Sequence, residues 1–138
     1  MNKRDPLSHC PNEILAVYLI VNGSLNMSSG KLGSQCFQAA QRLFAVVHHK
    51  GADLELATLI KDWERQGTRT ITRIALTEAV FERACKELPG VAMVDEGLTE
   101  VPENSTTVFA TWPIKREKLP RMLCHRKVPL LTAPMNIA

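Results

Sequence analysis

Short, wholly apolar runs alternate along this chain with longer stretches whose apolar residues recur every three or four positions. Ile14 to Val21 is the clearest run, eight apolar residues with no charge among them. It predicts a central strand covered on both faces. Asn22-Gly23-Ser24 breaks it. From Leu32 to Val47, the residues Leu32, Cys36, Ala39, Leu43 and Val46 share one stripe of an amphipathic helix. Ser28 or Ser29 supplies its cap and Lys50-Gly51 its end. A second helix starts at Asp53, buries Leu56, Ile60 and Trp63, and stops at Gly67. Thr68 to Leu76 alternates and is rich in Thr and Ile, as a strand is. Thr77 caps a third helix, Glu78 to Leu88, with Phe81, Ala84, Cys85 and Leu88 on its buried side and Pro89-Gly90 closing it. Val91 to Val94 and Thr106 to Thr111 read as two more strands, separated by the polar loop Asp95 to Ser105. Pro120 suits the first turn of a short last helix, and Lys127 to Leu131 an edge strand in which Pro129 is tolerated.

Strands interleaved with helices predict the α/β class. We expect one domain with three layers, its sheet mixed, mostly parallel, of four to five strands, and flanked by helices. The domain is expected over residues 14–131, with a flexible leader at 1–13 and a tail at 132–138. In such folds ligands gather beyond the carboxyl ends of parallel strands and at helix N-termini. If the first and third strands run the same way, that places the chemistry at Asn22 to Lys31 and at Asp95 to Ser105.

Composition narrows this. A chain of 138 residues with 45% hydrophobic and 22% charged residues fits a single soluble globular domain. No apolar run approaches the about 20 residues that span a bilayer, so no membrane is expected as a partner. The basic residues at the start are not followed by an apolar stretch, which argues against a signal peptide and for a cytoplasmic protein. Cys10, Cys36, Cys85 and Cys124 lack C-x-x-C spacing and read as free thiols, so no metal and no cofactor are expected. The net charge of +3 is mild, but Lys115, Arg116, Lys118, Arg121, Arg126 and Lys127 face a single acid, Glu117, within thirteen residues. That distribution suits a phosphate backbone as readily as a solvated face.

The segment Ser28-Ser29-Gly30-Lys31-Leu32-Gly33-Ser34-Gln35-Cys36 carries the sharpest chemical signal. A Lys in the first helical turn sits at the positive end of the helix dipole, where it is disfavoured. A cation there points to an anionic ligand or to negative charge that develops in a reaction. Gly23 and Gly30-Lys31 do not form a phosphate-binding P-loop: the glycines stand two residues too far apart, and Leu32 replaces the required hydroxyl. Lys31 and Gln35 share one helix face, since they are four residues apart. Asp95, Thr99, Ser105 and Thr107 put an acid and hydroxyls at the end of the third strand, a set that turns also use.

Together the two segments resemble the type 2 peptidyl-tRNA hydrolases, the archaeal and eukaryotic kind. That family begins its first helix near M-G-K-G-K-x-A-A-Q-C-x-H-A-A, and Met27 to Ala40 aligns with it. It also carries D-A-G-x-T-x-x-x-P-G-S-x-T-V-L, which Asp95-Glu96-Gly97-Leu98-Thr99 and Ser105-Thr106-Thr107-Val108-Phe109 match without gaps. Trp63 and Gly67 fall where the family often has W and G. The likeness runs from about Leu15 to about Leu131. Ser29 stands in place of a family Lys, Gln38 in place of its His, Glu103-Asn104 in place of P-G, and Gly33-Ser34 in place of alanines.

The resemblance implies hydrolysis of the ester joining a peptide to the 3′ ribose of tRNA, with Lys31, Gln35, Asp95, Thr99 and Thr107 as the catalytic set. An ester needs a water nucleophile, a group that orients or deprotonates it, and donors for the oxyanion. Asp95 with Thr99 or Thr107 is expected to position the water, Lys31 to stabilise the oxyanion or hold the terminal phosphate, and Gln35 to hold a carbonyl. Arg69, Arg73, Lys115, Arg116 and Lys118 are the candidates for gripping tRNA through its phosphates. The family is often dimeric, so the resemblance allows a homodimer, which the sequence itself does not show. The alternative is a non-catalytic RNA- or protein-binding module of the same fold, motivated by Ser29 and Gln38.

Overall fold

The computed structural model describes residues 14–49, 53–96 and 100–131. The expected leader and tail, the Lys50-Gly51 helix end and Thr99 lie outside the described residues. In chain order the elements are β1 (Leu15–Asn22), a 3₁₀ turn (Gly23–Leu25), α1 (Ser29–His48), α2 (Leu54–Arg65), β2 (Thr70–Ala75), α3 (Glu78–Glu87), β3 (Gly90–Val94), β4 (Thr106–Thr111) and β5 (Ile114–Lys115). Two 3₁₀ turns follow, Arg116–Lys118 and Arg121–Cys124.

Every residue of β1 is buried, as its unbroken apolar run requires. Leu15, Val17, Leu19 and Val21 point to one face and pack with Leu32, Ala39 and Leu43 of α1 and with Leu56, Ile60 and Trp63 of α2. Ala16, Tyr18 and Ile20 point to the other, against Phe81 and Ala84 of α3 and against Met122, Leu123 and Val128. This is the expected three-layer α/β arrangement. Asp53 caps α2 by accepting from the N–H groups of Glu55 and Leu56, and Gly67, at φ +99°, provides the left-handed residue that ends it.

The sheet order is β2-β1-β4-β3, with β5 also paired to β1. The sheet is mixed, but its mostly parallel character is corrected: β1–β2 is parallel, while β1–β4, β3–β4 and β1–β5 are antiparallel. The reason is that β4, buried from Thr107 to Thr111, folds back from β3 and inserts between β3 and β1. β1, β2 and β3 nevertheless all run in one direction, so their carboxyl ends share an edge. Leu19 faces Ala110 but Ala16 faces Ile114, so the returning chain carries one extra residue near Trp112-Pro113. At this bulge the N–H of Tyr18 donates to Thr111 Oγ1 at 3.0 Å instead of to a ladder carbonyl.

Two smaller expectations change. Pro120 precedes a single 3₁₀ turn in place of a short helix. The predicted edge strand reduces to one bridge, Arg73 with Leu130, flanked by Ile74 N–H to Pro129 O and Leu131 N–H to Thr72 O, both 3.0 Å. Pro129 contributes only its carbonyl there, which is all a proline can contribute.

Candidate active site

Three elements meet at the shared edge: the first two turns of α1, the carboxyl end of β3 and the start of β4. Ser28 caps α1, and its side chain accepts from the Lys31 N–H. This places Lys31 at the third helical position, with its stem running toward the end of β3. Asp95 follows β3 directly, and its backbone is held in place on both sides. Its N–H donates to Ser105 O at 2.9 Å, and its carbonyl accepts from the Asn104 N–H at 2.8 Å.

Across 64 positions of sequence, Lys31 Nζ donates to Asp95 Oδ1 at 3.0 Å. The two side chains are each 11% exposed. The ion pair resolves the misplaced cation: the carboxylate offsets both the positive helix end and the partial burial of the ammonium. Gln35, one turn further along α1, donates from Nε2 to the same Oδ1 at 3.3 Å. Its Oε1 accepts from Thr107 Oγ1 at 2.5 Å. The amide orientation follows, since its nitrogen faces the carboxylate and its oxygen the hydroxyl. The result is a chain in which Thr107 donates to Gln35 and Gln35 donates to Asp95.

Burial divides the roles. Gln35 is 2% exposed and Thr107 0%, so neither presents a surface to a ligand. Gln35 lies beneath Asp95, with its amide committed to that carboxylate and to the Thr107 hydroxyl. The expected α1 stripe is adjusted in the same way: Gln35 takes a buried place, while Val46 turns outward. Among the described members of the set, Lys31 and Asp95 keep a small exposed fraction of their side chains.

Sequence reasoning missed a second group of contacts around these residues. Glu78 accepts from Ser24 Oγ at 2.6 Å and from Asn22 Nδ2 at 3.1 Å, and Asn22 Nδ2 also donates to Thr106 O at 3.0 Å. Hydrogen bonds from Ser24 and then Asn22 hold the Glu78 carboxyl below its usual range. Beside Lys31, the Glu100 carboxylate accepts from the N–H of Ser28 at 2.9 Å and from its hydroxyl at 2.5 Å. The signal for the first group was an Asn ending an apolar strand before a Gly-Ser turn. Glu100 had no signal, because an acid in a polar loop is unremarkable.

The predicted RNA contacts lie elsewhere. Lys115 pairs with Leu15, at the opposite end of β1 from Asn22. At about 3.3 Å per strand residue, β1 spans roughly 23 Å between Leu15 and Asn22. Arg69, Ile71 and Arg73 alternate onto the face of Tyr18, whose partner in β2 is Ile71. Burial pushes the Tyr18 phenol up, against the pull of the nearby Arg73, Arg69 and Arg116. Arg73 donates from Nη1 to Val128 O at 3.0 Å, while its buried Nε has no hydrogen-bond partner. Among the described residues, the ion pairs are Lys31–Asp95, Arg65–Asp62 and Arg83–Glu87, so these distal cations have no acid partner. Structure thus gathers Arg69, Arg73 and Arg116 but separates them, with Lys115 and Lys118, from Lys31 and Asp95.

Residues 15–128 match the sequence model of the family described as Peptidyl-tRNA hydrolase PTH2. The chain belongs to this family. Among individual relatives, a probable peptidyl-tRNA hydrolase 2 of Drosophila melanogaster is 28% identical over 122 residues, covering 85% of this chain and 63% of its own. A probable peptidyl-tRNA hydrolase 2 of Schizosaccharomyces pombe is 28% identical over 100 residues, 69% of this chain and 46% of its own. The peptidyl-tRNA hydrolase of Methanopyrus kandleri is 27% identical over 109 residues, 75% of this chain and 89% of its own. This chain therefore spans about half to just under two thirds of those two eukaryotic relatives, and most of the archaeal one. All five catalytic candidates fall inside the PTH2 match. Among the described residues no helix is long and apolar enough to cross a membrane.

Proposed function

We propose that this protein hydrolyses the ester between the peptide and the 3′ ribose of peptidyl-tRNA, with Lys31 and Asp95 as its catalytic residues. The observation that carries the reading is their partly buried ion pair at the shared strand edge of a family-matched domain, supported from beneath by Gln35 and Thr107. A water held by Asp95 attacks the ester carbon and passes its proton to the carboxylate. The Lys31 ammonium stabilises the oxyanion as it forms. The bond to the ribose oxygen then breaks and that oxygen takes the proton from Asp95, leaving a free 3′-hydroxyl and a peptide carboxylic acid that loses its remaining proton to solvent. Acid–base help of this kind contributes roughly 10²–10⁴-fold. Assaying the purified protein on peptidyl-tRNA tests it: cleavage is expected from the wild type and a fall of about 10²-fold or more in Asp95→Ala and Lys31→Ala. Wild-type protein that binds RNA without turnover would instead favour the non-catalytic module. Ser29 and Gln38 still motivate that reading, although Gln38 Oε1 lies within 3.4 Å of Gln35 Nε2 and so contributes to the same chain.

The distal cations fit the same substrate. A reactive ester at the end of a long polyanion leaves its body to contact Arg69, Arg73, Lys115, Arg116 and Lys118 across the sheet. A homodimer and a cytoplasmic place of action belong to this proposal as well, and light scattering of the purified protein tests the first.

A further inference from the structure

A helix capped by Ser commonly carries Glu or Gln at its third position, which reaches back to the N–H of the cap residue. In α1 that third position is Lys31, and its side chain is committed to Asp95. The acid arrives from 72 residues away: Glu100 accepts from both the N–H and the hydroxyl of Ser28. The same Ser28 hydroxyl oxygen accepts from the Lys31 N–H at 3.2 Å. One residue thus joins the loop that begins at Asp95 to the helical turn that carries Lys31. The loop has two further anchors. Its base is closed by Asp95, Asn104 and Ser105, and Val101, 4% exposed, is buried in the core beneath α1. Both anchors hold the loop to the sheet and core, whereas Glu100 ties it to the element bearing the cation.

We propose that Glu100 is a positioning residue: it completes the cap of α1 in trans and so latches residues 100–105, which close onto Asp95, to the turn that presents Lys31. The proposal rests on the reading of Lys31 and Asp95 as the reacting pair. Its physical logic is an exchange of places. A local capping acid at position 31 would close the helix start but would remove the ammonium. Moving the acid into the loop keeps the ammonium and couples the registration of the two segments. The test separates geometry from charge. Glu100→Gln keeps the latch, because its amide oxygen accepts from the Ser28 N–H while its nitrogen donates to the Ser28 hydroxyl oxygen. Glu100→Ala loses both contacts.

Peptidyl-tRNA hydrolysis is measured for the wild type and both variants, alongside amide hydrogen exchange across residues 29–32 and 95–105. The latch predicts a kcat for Glu100→Ala reduced about tenfold with KM changed less than about twofold, and Glu100→Gln within about twofold of the wild type on both. It also predicts faster exchange of both segments together in Glu100→Ala, and wild-type exchange in Glu100→Gln. An Ala variant with wild-type kcat, or a Gln variant as impaired as Ala, overturns it. So does exchange that is unchanged in Glu100→Ala, or raised in only one segment. If the wild type does not cleave peptidyl-tRNA, the reading of the reaction fails, and the exchange result alone decides the latch.

Discussion

At the scale of single residues, the ion pair is asymmetric in what its loss exposes. Removing Asp95 leaves a largely buried ammonium at the positive end of α1 without its ion-pair partner. Removing Lys31 leaves a carboxylate that keeps the Gln35 hydrogen bond and favours that helix end. Asp95→Ala should therefore cost more stability, about 2–3 kcal/mol against about 1 kcal/mol for Lys31→Ala, as read by urea denaturation. The reverse order would contradict the electrostatic account of the site. The thiols give a second residue-level check. Burial pushes Cys36 and Cys85 up to about 11, while Cys124 is exposed. At pH 8 a disulfide reagent should modify Cys124 well before the other two, as peptide mapping of the labelled protein would report. Lys31, Gln35, Asp95 and Thr107 were legible in the sequence because two motifs named them. The burial of Gln35 was not: spacing places it beside Lys31, but only packing turns its amide inward between a carboxylate and a hydroxyl.

At the scale of elements, Glu78 links the turn after β1 to the start of α3. Its carboxyl is held below the ordinary value of 4.5 by Ser24 and then Asn22. A folded value below the unfolded one stabilises above about pH 4.5, and that contribution fades as pH falls through the lower folded value. Glu78→Gln should therefore melt below the wild type near pH 7, with the two melting curves converging toward pH 3; thermal denaturation across that range checks it. The helices were readable because their caps and stripes agree. Asp53 with Gly67 and Thr77 with Phe81 and Ala84 each pair a start or stop signal with a buried face. The segment after Pro120 has no such stripe, and it closes as a single 3₁₀ turn whose Met122 and Leu123 plug the α3 face.

At the scale of the whole molecule, Lys115 and Arg116 lie at the opposite end of β1 from the edge that carries the chemistry. Binding of tRNA should weaken linearly in log affinity with log salt, and neutralising Arg116 and Lys118 together should shallow that slope by about 1 to 2. The same double variant should leave the stability asymmetry of Lys31 and Asp95 intact, because the length of β1, about three Debye lengths at physiological salt, lies between Lys115 and the strand end at Asn22. Affinity indifferent to salt, measured by filter binding, would remove the distal cations from the account. Strand directions were partly foreseeable, since the edge shared by β1 and β3 follows from their common direction. The order of strands was not: nothing local in Thr106–Thr111 says that it lies between β1 and β3. The sequence by itself determined the three helices, the four longer strands and the residue types gathered in its two motifs, because periodicity, caps and side-chain chemistry are properties of neighbours along the chain. Tertiary structure alone decided that β4 is central, that Gln35 lies inward, that the arginines gather around Tyr18 and that Glu100 reaches Ser28. Each of those depends on segments distant in sequence competing for the same space, and a one-dimensional pattern contains no term for that competition.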